Sequence, residues 1–204
     1  LITVLICVNL LYLFFVMIQF RYLTGAIQSM LPQHLTYAEY ARSGFFELLA
    51  VSLLNVSLLF AAIRLANREK GSGIVLRFLV LMLLGCSIIQ WLSAMSRMKL
   101  YVDAYGLTRL RFLSTAFMWL ILAWFVILAL REFLSRLPLF KSLAIAAIIA
   151  LLALNSVNPD LRIAKYNVQR YQKPGDHTII SLDVSYLEQL SDDALPAIIS
   201  LLHD

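Results

Sequence analysis

Charge is scarce in this sequence. Only 14% of the 204 residues are Asp, Glu, Lys or Arg, against 61% hydrophobic. A soluble domain carries about 25% charged and roughly 45–50% apolar residues. A single core cannot hide so large an excess, so an ordinary soluble fold is excluded and the membrane is the first reading. Cysteine is nearly absent: Cys7 and Cys86 both lie inside hydrophobic runs and say nothing of redox compartment. Histidine is as rare. His34, His177 and His203 are scattered, and none has a second ligand at helical or tight-turn spacing, so no metal site is expected. No phosphate-binding Gly-rich loop, no Gly-x-Ser-x-Gly and no dinucleotide fingerprint occurs, and no cofactor is implied. The Ser and Tyr residues lack a sequence-local base. No basic-aromatic stripe calls for nucleic acid. The formal charge of +5 fits Lys and Arg at span ends facing lipid phosphates. An initiator Met and a basic leader region are also missing, while "PAIISLLHD" stops within a helical pattern. A fragment of a longer protein is the expectation.

What the chain does have is apolar length; its mean hydropathy is +0.82. Five runs approach the roughly 20 residues that a bilayer requires. They cover residues 1–20, 45–63, 73–96, 112–130 and 139–157. Arg77 and Lys141 stand near the starts of the third and fifth runs, where their side chains are expected to snorkel to the interface. The expected fold is all-α: a polytopic membrane protein with a bundle of about five transmembrane helices (residues 1–157) and a C-terminal extramembrane helical tail (158–204). Asn9, Gln19, Asn55, Cys86, Ser87 and Gln90 are polar but uncharged within the spans, and interhelical hydrogen bonding is their expected role.

Five spans fix parity. Residues 21–44, 97–111 and the tail fall on one side, here called face B; residues 64–72 and 131–138 fall on face A. Face A holds seven Lys or Arg at its connections and span mouths, and face B holds ten. That balance leans toward a cytoplasmic face B, although its basic residues are mixed with carboxylates, and orientation stays open.

Three segments furnish face B. In "TYAEYARSGFFELL" (36–49), Thr36 and Glu39 have capping-box spacing. Glu47 enters the span on one helical face with Tyr40, close to Arg42. A carboxylate there is costly unless paired or wet, so it is either a structural ion partner or a functional group. In "YVDAYGLTRLRF" (101–112), Gly106 is placed to end a helix in the left-handed region and Thr108 to cap the next. Arg109 and Arg111 then sit at the positive end of a helix and need an anion. The candidates are Asp103, Glu47, a lipid phosphate or an anionic ligand, with Tyr105 alongside. In "NPDLRIAKYNVQRY" (158–171), Asn158, Pro159 and Asp160 start a helix. Its Ile163, Tyr166, Asn167 and Arg170 form one stripe, more often a packing face than a catalytic one. In the tail, Asp183 and then Ser191 or Asp193 are placed to cap two short helices. Their apolar faces would be Tyr186, Leu187 and Leu190 in the first, and Leu195, Ile198 and Leu202 in the second.

These three segments, with the tail "LDVSYLEQLSDDALPAII", resemble the signature segments of a bacterial family of multi-pass membrane proteins catalogued as a domain of unknown function. The resemblance covers most of the chain. It implies a bacterial cytoplasmic-membrane protein extended at its N-terminal end, and it brings no activity, cofactor or catalytic residue. Two readings of function remain. One is a non-enzymatic anchor, sensor or assembly module, engaging a protein partner through residues 158–204 or anionic lipid head groups through face B. The other is a membrane-embedded enzyme or transporter for an anionic or lipid-linked substrate, with Glu47 as acid/base or coupling group and Arg109 and Arg111 as the clamp.

Overall fold

The computed structural model describes residues 2–27, 37–65, 72–134, 136–172 and 183–199. Among them there is no strand. The helices are α1 (Ile2–Ile27), α2 (Tyr37–Leu65), α3 (Ser72–Tyr105), α4 (Arg109–Phe133), α5 (Leu139–Ser156), α6 (Pro159–Gln172), α7 (Val184–Glu188) and α8 (Leu195–Ile199), the last preceded by a 3-10 turn at Asp192–Ala194. Each of the five apolar runs lies on one of the first five helices.

α3 is the hub. It packs against α1 and α2 and, through another side, against α4, which carries α5. Leu59, Leu83, Ile121, Phe125 and Leu128 are fully buried where these helices meet. Polar groups tie the helices at intervals. The Asn9 amide donates to Leu79 O at 3.1 Å, and Asn55 Nδ2 donates to Ser87 Oγ at 2.8 Å and Gln90 Oε1 at 3.2 Å. Trp91 Nε1 reaches Met118 O at 2.8 Å, and Trp124 Nε1 reaches Leu143 O at 3.1 Å. Bonds of this kind hold helices together where lipid gives no hydrophobic force between them. The Gln19 side chain lies outside the described residues.

The outward surface is apolar. Leu10, Leu11, Phe14, Phe78, Ile148, Leu151 and Leu152 are all exposed. A patch of that extent is untenable in water and natural in hydrocarbon. Gly73–Tyr105, Arg109–Phe133 and Leu139–Ser156 are long and apolar enough to cross a bilayer, and Ile2–Met17 and Leu49–Arg64 are shorter apolar stretches. The all-α chain therefore fits a polytopic membrane protein. α3 outruns its apolar run. At 1.5 Å per residue its 34 residues reach about 51 Å, against a hydrocarbon core of about 30 Å. Its last turns, from Arg97 to Tyr105, carry the α3–α4 turn beyond the end of the apolar run.

At the other end of the bundle, Arg77 does more than snorkel. Its Nη2 donates to the Glu132 carbonyl at 2.6 Å, its Nε lies 3.8 Å from the Glu132 carboxylate, and its guanidinium stands over the Phe133 ring. Glu132 is only 1% exposed; its position beside Arg131 at the end of α4 gives no sign of such burial. The tail also departs from expectation. Leu187 and Ala194 pack on Ala164 of α6, whereas Leu195 is exposed. Leu190 and Ile198 pack against the same cluster as expected, and Ala194 of the 3-10 turn takes the place expected for Leu195. Leu202 lies outside the described residues.

Candidate functional site

The α3–α4 turn begins where α3 runs out of intrahelical partners. A helix leaves its last four carbonyls unbonded. Gly106 adopts φ 77°, in the left-handed region, and its N–H donates to Val102 O at 2.8 Å. Arg170 Nη2 donates to the carbonyls of Asp103 and Ala104, the latter at 3.0 Å. Arg111 Nη1 donates to Tyr105 O at 3.0 Å and to Gly106 O. All four carbonyls are thus satisfied, three of them by guanidinium groups at the negative end of the helix dipole. The Arg111 guanidinium also lies 4.0 Å from the centroid of the Tyr101 ring, which meets Tyr105 edge-on.

The start of α4 is bound in the same way. Thr108 is the N-cap, its hydroxyl oxygen accepting from Arg111 N at 3.5 Å. Leu107 N donates to Asn167 Oδ1, and Asn167 Nδ2 donates back to Leu107 O, both at 2.8 Å. Arg109 N donates to the Tyr186 hydroxyl at 2.7 Å. The Arg109 guanidinium pairs in bidentate fashion with Asp160, Nε to Oδ1 at 2.7 Å and Nη2 to Oδ2. Asp160 Oδ2 accepts also from Ser191 N at 3.0 Å, which joins α4, α6 and the tail through one carboxylate. The Arg109 hydrogen bonds hold the Asp160 carboxyl well below the usual carboxylate range; burial opposes this, and the Ser191 bonds add to it. Tyr166 donates to Asp103 Oδ1 at 3.1 Å, and burial, with the Asp103 charge, pushes its phenol up, so the hydroxyl keeps its proton.

Seven of the residues singled out from the sequence therefore meet at one place: Asp103, Tyr105, Arg109, Arg111, Tyr166, Asn167 and Arg170. The stripe on α6 packs against the α3–α4 turn, with Ile163 buried beneath it. The side chains of Tyr40, Arg42 and Glu47 lie outside the described residues, as does Thr36. The anion that meets Arg109 is Asp160, which was not among the four candidates. As an acidic residue in the first turn of α6 it already had a local explanation, and no sequence pattern ties it to a residue 51 positions away. Tyr186 was read as part of an apolar face, yet its hydroxyl caps α4. Between the turn, α6 and α7 lies a cavity of about 280 Å³, lined in part by Thr108, Arg111, Asn167, Arg170, Asp183 and Tyr186.

Residues 1–201 match the model of a family described as Domain of unknown function (DUF4153). The chain belongs to that family. No curated protein and no solved structure matches it.

Proposed function

We propose that this member of the DUF4153 family is a multi-pass protein of the bacterial cytoplasmic membrane that serves as a non-enzymatic assembly module. Its helical bundle is the anchor, and the tail from residue 158 onward is the part presented to a protein partner. One observation carries the reading. Polar contacts at the α3–α4 turn seat α6 and α7 on the bundle, α6 through Arg109 with Asp160, Asn167 with Leu107 and Arg170 with the end of α3, and α7 through the Tyr186 hydroxyl at the start of α4. A clamp of this kind gives a short tail a fixed geometry, and preorganisation lowers the ordering cost of binding a partner. Arg109, needed as a substrate clamp under the enzyme or transporter reading, is already paired.

Deleting residues 174–204 tests this in membranes, with partner adducts trapped by a chemical cross-linker. The expected outcome is loss of the adducts at unchanged membrane abundance of the truncated chain. Adducts that persist at full yield would contradict a partner-binding tail.

A further inference from the structure

Two guanidinium groups line the small cavity between the α3–α4 turn, α6 and α7. Arg111 spends Nη1 on backbone carbonyls, and Arg170 spends Nη2. Among the described residues, each keeps its other terminal nitrogen and its Nε without a hydrogen bond. Two hydroxyls line the same cavity. Thr108 Oγ1 accepts from Arg111 N, and the Tyr186 oxygen accepts from Arg109 N, so both retain a proton to donate. Four donor groups around one cavity call for a ligand that is rich in acceptors and negatively charged, and a phosphate meets both needs.

The cavity is not uniformly basic. Asp183 lines it as well, exposed to solvent, where it caps α7 by accepting from Tyr186 N at 3.0 Å and Ser185 Oγ at 2.7 Å. A carboxylate beside a phosphate site penalises a purely anionic ligand and favours one that carries a cation next to its phosphate. Size narrows the class further. A volume of about 280 Å³ falls just under the roughly 300 Å³ at which pockets for drug-sized ligands begin. A headgroup fits, and acyl chains must lie outside. In the first turns of α4, next in sequence to the cavity residues Thr108 and Arg111, Leu110 is 70% exposed and Leu113 is exposed too, apolar surface suited to acyl chains.

We infer that this cavity binds the phosphate of a zwitterionic, amine-bearing lipid headgroup, with Arg111, Arg170, Thr108 and Tyr186 donating to phosphate oxygens and Asp183 meeting the ammonium. The inference rests on the reading that this face lies at the bilayer surface, since only there does a headgroup reach it.

The test uses the purified full chain in maltoside detergent and native mass spectrometry. The probes are dihexanoyl phosphatidylethanolamine, dihexanoyl phosphatidylglycerol and inorganic phosphate. The ethanolamine lipid should bind more tightly than the glycerol lipid, by up to roughly fivefold for one partly exposed charge pair, and inorganic phosphate should bind more weakly than either. Asp183→Asn keeps a good helix cap and should erase the preference while leaving phosphate-dependent binding in place. The double variant Arg111→Gln and Arg170→Gln should bind neither lipid. Should that variant fail to fold, Asp183→Asn still decides the matter. Equal affinity for both lipids in the unsubstituted chain, or an unaltered preference in Asp183→Asn, overturns the assignment; inorganic phosphate binding as tightly as the lipids identifies a free phosphate site and overturns the lipid. Proteolysis of the tail in the same sample separates this inference from the docked-tail reading: a protected tail without lipid binding defeats only the cavity, whereas a digested tail defeats the docking itself.

Discussion

Gly106 is where a single side chain decides whether the turn forms. An L-residue there meets the left-handed backbone, at a cost of about 1–2 kcal/mol, and its Cβ would stand 2.8 Å from Asn167 Oδ1. Gly106→Ala should therefore lower the thermal stability of the detergent-solubilised chain and release Asn167, read as faster amide exchange at Leu107. Asn167→Leu removes both bonds to Leu107 and leaves a half-buried N–H and C=O without partners, for a loss of about 1–3 kcal/mol. Asp160 sets the pH behaviour. Its folded carboxyl titrates below its ordinary value near 3.8, so its stabilisation is present above that value and disappears as pH falls through the lower folded one. Tail protection should be flat across about pH 5 to 8 and fall only in stronger acid. Loss of protection near neutrality would show that another group holds the tail. At this scale the sequence was legible in its local devices. Gly106, Thr108 and Asp183 act where turn and cap chemistry places them. The long-range partners, Asp160 for Arg109 and the Tyr186 hydroxyl for the start of α4, had no local signature, because one had a sufficient role in its own helix and the other looked apolar.

At the scale of elements, α6 links the membrane bundle to the tail. One face carries Tyr166, Asn167 and Arg170 onto the α3–α4 turn, while Ala164 accepts Leu187 and Ala194 from the tail. The two attachments are separable. Leu187→Asp places a charge in the small apolar contact and should expose residues 183–199 to protease, with α1–α5 inserted as before. If that variant also disappears from the membrane fraction, the tail is part of the bundle's stability and not an appendage. Helix existence and type were readable from apolar runs and caps. Hydropathy alone stops α3 near residue 96, but Gly106 marked its true end; the nine residues in between stay helical, and the arginines satisfy the carbonyls of Asp103, Ala104 and Tyr105 at its terminus. On α8 the expected face held at Ile198, which packs against the Ala164 cluster, and failed at Leu195, which is exposed where the 3-10 turn hands over to the helix.

Over the whole molecule, the two ends of the bundle are held differently. The α3–α4 turn is a dense polar assembly bearing the tail, while at the opposite end Arg77 and the buried Glu132 join the start of α3 to the end of α4. Arg77→Leu removes the guanidinium's bond to the Glu132 carbonyl and its contact with the Phe133 ring, so it should reduce abundance in the membrane without affecting tail protection. The central claim is that the α3–α4 turn and α6 share one bilayer surface, opposite the α4–α5 connection. Single cysteines at Ala104, Tyr171 and Arg136, in a chain with Cys7 and Cys86 replaced by Ala, test this with a membrane-impermeant thiol reagent on intact cells. Positions 104 and 171 should label alike, and position 136 should behave in the opposite way. Labelling that sets 104 apart from 171 would contradict the account and, with it, the docked tail and the cavity beneath it.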